Sequence, residues 1–152
     1  MKGSGSMFTS ALDEQFGEIL KRISPAERRK FSRQVAIALR AHRSDEILAN
    51  RDAYGRAMVP RKPQKGHRRK KGKMFQKLGR RRAMRIRANS AYASISFQPK
   101  NRRIADNHHF GRVVQVNAYS RVRYPERTLL ALNEPEEKII KEHLYNLMAE
   151  AL

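Results

Sequence analysis

The sequence predicts an α+β domain: an N-terminal helix pair, a long basic loop, a small antiparallel sheet of β-hairpins and a C-terminal helix. Three observations carry this. Apolar residues recur with helical spacing at both ends of the chain. They alternate with polar ones over much of the stretch between residues 84 and 124. Ahead of that alternation lies a strongly basic stretch with no apolar period. At 152 residues the chain is the size of one domain, expected over 8–152 behind a flexible leader or expression scar at 1–7.

Leu12, Phe16, Ile19, Leu20 and Ile23 fall on one stripe of a first helix, from about Ser10 to Ile23, with Asp13, Glu14 and Glu18 near its positive end. Ser24-Pro25-Ala26-Glu27 is a second start signal, a capping box with proline in the first turn. This helix is expected to reach about Asn50, with Phe31, Val35, Ala38, Leu39 and His42 on one face. Arg28, Arg29, Lys30, Arg33, Arg40 and Arg43 are read as a solvated face rather than a DNA-reading one.

Residues 51–73 hold Gly55, Pro60, Pro63, Gly66 and Gly72 among many cations, and a mobile basic loop is expected at about 53–73. A short helical turn at Met74, Phe75 and Leu78 returns to the core. Met84, Ile86 and Ala88 then alternate with Arg85 and Arg87. After a break at Asn89-Ser90, Ala91, Ala93, Ile95 and Phe97 alternate in the same way, which makes a hairpin with its arginines outward. Val113–Val116 and Arg121–Tyr124 form a second hairpin. Asn133 caps the last helix, whose stripe is Ile140, Leu144, Leu147 and Ala151.

Charge is segregated. The chain has 34 Lys or Arg against 14 Asp or Glu, and 18 of its net +20 charges lie between Ala53 and Ala105, where there is no acid. Such a surface must meet a polyanion or an acidic protein face. The candidate contacts for a partner or for DNA phosphates are Arg61, Lys62, Lys65, Arg68, Arg69, Lys70, Lys71, Lys73, Arg80, Arg81, Arg82, Arg85 and Arg87. Only His67 and Phe75 offer a stacking ring between Arg56 and Tyr92, so any DNA contact is expected to be with phosphates and non-specific.

An enzyme is not expected. There is no cysteine, no phosphate-binding Gly-x-x-x-x-Gly-Lys loop and no Gly-x-Ser-x-Gly elbow. The basic third lacks the carboxylates a nuclease metal site needs. His108 and His109 are adjacent and diverge, so they are read as structural, with one imidazole buried, and no metal or cofactor is expected. No run approaches the ~20 apolar residues of a membrane span, and no helix joins an exposed apolar face to this charge, so no membrane partner is expected.

Ser24-Pro25-Ala26-Glu27-Arg28-Arg29, Pro60-Arg61-Lys62-Pro63 and Lys73-Met74-Phe75-Gln76-Lys77-Leu78 occur in that order. Arg103-Ile104-Ala105 follows, leading to His108-His109-Phe110-Gly111, and then Arg123-Tyr124-Pro125-Glu126-Arg127 with Leu129-Leu130. This ordered set resembles the phage virion morphogenesis family, the tail completion proteins of contractile-tailed temperate bacteriophages. The chain departs from the family at Arg51-Asp52-Ala53-Tyr54-Gly55, where a Pro-Asp-Gly turn is common, at Met58-Val59, and in its second histidine. The resemblance implies a structural virion protein at the head-proximal end of the tail, made in the host cytoplasm and acting in head–tail joining. It further implies a homo-oligomeric, hexameric ring, other tail or neck proteins as partners, and structural roles for His108, Phe110, Gly111 and Arg127. Arg127 is expected to tie the last strand to helix carbonyls or to a carboxylate. The competing reading is a host-type nucleic-acid-binding protein of ribosomal kind.

Overall fold

The computed structural model describes residues 17–18, 21–61 and 74–151. Of the first expected helix, residues 17–18 and 21–22 are helical, Ile23 is a buried bend, and the remainder lies outside the described residues, as do the 1–7 leader and positions 62–73 of the basic loop. The described elements are helix α1 (Pro25–Leu48), a 3-10 turn (Arg81–Ala83), strands β1 (Met84–Ala88) and β2 (Ala93–Phe97), helix α2 (Pro99–His109), strands β3 (Val113–Asn117) and β4 (Ser120–Arg123), and helix α3 (Glu134–Ala151). The fold is α+β, with two separate two-stranded antiparallel sheets.

The capping box at α1 forms as its residues dictate. Ser24 Oγ accepts the Glu27 amide at 3.2 Å, and the Glu27 carboxylate accepts the Ser24 amide at 2.8 Å. The buried face of α1 differs from the expected one: it is Ser32, Val35, Ala36, Arg43, Ser44 and Ile47, and only Val35 is shared. Polar residues can occupy this face because the neighbouring elements satisfy them. Ser44 Oγ donates to the Gly79 carbonyl at 2.6 Å, and Arg43, expected in solvent, is paired with Glu136. Phe31 and Ala38 instead line a groove against α3.

Residues 51–58 form a turn packed on the body, not an extended loop. Asp52, Ala53 and Met58 are buried, and Arg51 pairs with Ala57 across an isolated bridge. The Asp52 carboxylate builds the turn by accepting the Tyr54 and Arg56 amides at 2.9 Å each.

In the first hairpin Met84 lies opposite Phe97, Ile86 opposite Ile95 and Ala88 opposite Ala93. Asn89 closes it, its side-chain oxygen accepting the Ala91 and Tyr92 amides. Helix α2, which the sequence reading lacked, begins at Pro99 and buries Ala105. Ile47, Met58, Met74, Leu78, Met84, Phe97, Ala105 and Leu129 make the core. Helix α1, strands β1 and β2, helix α2 and the segments before β1 and before α3 contribute to it, whereas β3 and β4 do not. Helix α3 is capped by Asn133, whose side-chain oxygen accepts the Glu136 amide at 3.0 Å, and it packs on α1. No described helix is long and apolar enough to cross a membrane.

Candidate functional site

Six of the thirteen candidate cations lie in the described residues, and all six are exposed. Arg80, Arg81 and Arg82 lead into β1, and Arg85 and Arg87 continue on its outer face opposite Ser96 and Ser94. Among the described residues none of these five is in an ion pair, so the first hairpin presents an uncompensated basic face. Arg61 belongs elsewhere, beside His108 and Arg127, whose titration it perturbs. Lys62, Lys65, Arg68, Arg69, Lys70, Lys71 and Lys73 lie outside the described residues.

The second assembly centres on Arg127, which is 4% exposed. Its Nε donates to the Val59 carbonyl at 2.8 Å and its Nη2 to the Pro60 carbonyl at 3.2 Å. Its Nη1 meets His108 Nδ1 at 3.0 Å, and its backbone amide donates to the His108 carbonyl at 2.7 Å. The guanidinium thus binds a loop carbonyl pair and an imidazole, rather than helix carbonyls or a carboxylate. A planar fork of donors suits several acceptors at once, which explains arginine at this position.

His108 lies between Phe75 and Tyr124, edge-on to both, with ring centroids 4.8 and 4.6 Å away. Burial, then the charges of Arg127 and Arg61, push its pKa down to about 4. The ring is therefore neutral at pH 7, and Nδ1 is the acceptor that Arg127 requires. His109 Nδ1 accepts the Leu129 amide at 3.2 Å.

Gly111 lets the chain turn out of α2. Its φ is +58°, and a Cβ there would lie 3.1 Å from both the Tyr124 carbonyl and the Glu126 amide. Phe110 is exposed, with the Arg112 guanidinium over its ring at 5.1 Å.

Four stretches far apart in the chain, Val59-Pro60-Arg61, Phe75, His108 to Gly111 and Tyr124 to Arg127, therefore meet in one place. They coincide with motifs whose order marked the resemblance. The family model of the phage virion morphogenesis family matches residues 8–149. The chain belongs to that family. One relative is the tail completion protein S of Escherichia phage P2, 30% identical over 135 residues that cover 86% of this chain and 90% of the relative. No solved structure matches the chain.

For this phage virion morphogenesis protein the two assemblies have different chemistry. The Arg127 cluster uses its donors internally, on Val59, Pro60 and His108. The basic hairpin has unspent donors and can take carboxylates or phosphates. Sequence reasoning missed Arg43, although its spacing from Val35, Ala36 and Ile47 puts it on their helix face.

Proposed function

We propose that this protein is a non-enzymatic structural component of a phage tail, made in the bacterial host cytoplasm. It completes the tail at its head-proximal end and helps join it to the head as a ring of copies. The observation that carries this reading is the family match over 8–149, together with a tail completion relative aligned over nine-tenths of its own length. The geometry supplies a mechanism. Arg127 fixes the chain at Val59 and Pro60, immediately before the basic segment, while Arg80 to Arg87 form a second basic surface on a rigid hairpin. Both dock on an acidic face of a neighbouring tail or neck protein, and contact with DNA phosphates is secondary and independent of sequence.

Salt weakens either contact: a surface neutralising ~6–10 phosphates loses about 10³–10⁵ in affinity between 50 and 200 mM salt. Arginine geometry separates them, because a phosphate accepts a lysine point charge while a bidentate carboxylate contact needs the fork. The test complements a phage lacking this gene with a variant carrying Arg61→Lys, Arg68→Lys and Arg69→Lys. Tail joining and DNA retention are then measured separately. Lost joining with intact DNA binding supports docking, and joining that survives the exchange counts against it. If the phage lacking the gene still yields joined particles, the tail completion reading fails.

A further inference from the structure

We propose that the β3–β4 hairpin is an arm that seats in the α1–α3 groove of a second copy of this chain, so that neighbouring copies join head to tail. This rests on the ring reading and names the two surfaces that build the ring.

Among the described elements β3 and β4 pack mainly on each other. An isolated two-stranded hairpin is marginally stable in water, so it gains from being covered. It exposes Val113, Val116 and Tyr119, with exposed Phe110 just before it, and Tyr119 at the tip is 99% exposed. Apolar groups gathered this way mark a contact surface, and tyrosine is among the residues that anchor such contacts. The tip is also fixed in shape. Asn117 Oδ1 accepts the Tyr119 amide and the Ser120 hydroxyl, each at 2.9 Å. The register breaks between Gln115 and Asn117, and such a bulge disfavours strand addition along the edge. That leaves the tip as the contact.

The groove between α1 and α3 has a volume of about 540 Å³, in the range of about 300–1,000 Å³ typical of ligand clefts. Phe31, Ala38, Ala41 and Leu147 line it, with carboxylates at Glu27 and Glu150 and, among the described residues, one lysine, Lys30. Charge selects the occupant. The arm carries exposed Arg112, Arg121 and Arg123, and the chain has no acid from residue 107 to residue 125. An apolar tip flanked by arginines thus fits an apolar groove bearing carboxylates. Arm and groove belong to different elements, so the contact is heterologous, and a heterologous contact whose rotation closes makes a ring.

The chain has no cysteine, which permits a direct test. A double variant, Tyr119→Cys with Ala38→Cys, is produced in cells infected by a phage lacking the gene, and its tails are purified and oxidised. Electrophoresis without reductant is expected to show a ladder of covalent multimers that neither single variant gives. Tyr119→Glu is expected to keep the wild-type melting temperature and to lose its place on tails. Tails that carry several copies yet give no ladder overturn the arm contact and leave the ring standing. Tails with one copy overturn both. A bond within one chain in a Leu12→Cys, Ala38→Cys variant puts the N-terminal apolar stripe in the groove, and also overturns the contact.

Discussion

Arg43 of α1 and Glu136 of α3 form an ion pair whose side chains are 1% and 6% exposed, although 93 residues separate them in the sequence. Arg43 Nε donates to the carboxylate at 3.0 Å, and its terminal nitrogens reach the carbonyls of Asp52 and Ala53 at 3.4 and 3.5 Å. Glu136 also accepts the Asn133 amide at 3.2 Å, so the same carboxylate starts α3 and anchors it to α1.

Removing one partner leaves the other charge buried without compensation. Arg43→Met is expected to lower stability by about 3–5 kcal/mol in urea denaturation. Replacing both, Arg43→Met with Glu136→Leu, should restore much of that loss. A double variant no better than the single one would contradict the pairing.

His108 makes stability depend on pH. Its folded pKa of about 4 lies below the ordinary value of 6.5, so the unfolded chain binds more protons between the two. The contribution is fully present above about pH 6.5 and is lost as pH falls through about 4. His108→Gln keeps an acceptor for Arg127 and does not titrate. Its melting temperature should fall less steeply than wild type between those pH values.

Arg127→Lys retains the charge and loses the fork. One ammonium cannot replace donors to Val59, Pro60 and His108 together. The expected outcome is a lower melting temperature and faster trypsin cleavage after Arg61. Unchanged values on both measurements would sink the role.

Gly111→Ala forces a side chain into left-handed backbone and against the Tyr124 and Glu126 main chain. The expected loss is about 1–2 kcal/mol from the conformation alone. Gly55 also has positive φ but faces open space, so Gly55→Ala should lose less in the same assay.

Much of the fold was legible because local signals agreed with the packing. The capping box at Ser24, the alternation from Met84 to Phe97, the Asn133 cap and the return of Met74 and Leu78 to the core all read directly. Helix α2 was not legible. Pro99 starts it, but only Ala105 is buried, so no apolar stripe marks it. The inner face of α1 was misread for a related reason. Arg43, Ser32 and Ser44 are buried through partners distant in sequence, and periodicity sees only what is apolar. The basic surface was legible as composition, whereas the division between a free hairpin face and an Arg61 drawn toward His108 and Arg127 depends on tertiary contacts.

The span between Arg43 and Glu136 also sets the order of events during synthesis. A ribosome delivers α1 long before α3, and until residue 136 emerges the guanidinium of Arg43 cannot enter the core without an unpaired charge. Closing so long a loop late makes folding a near-final, whole-chain event. A polypeptide that stops short of α3 is therefore expected to be less stable and more open to proteolysis. The stability of α1 is thereby tied to the arrival of residues near the far end of the chain.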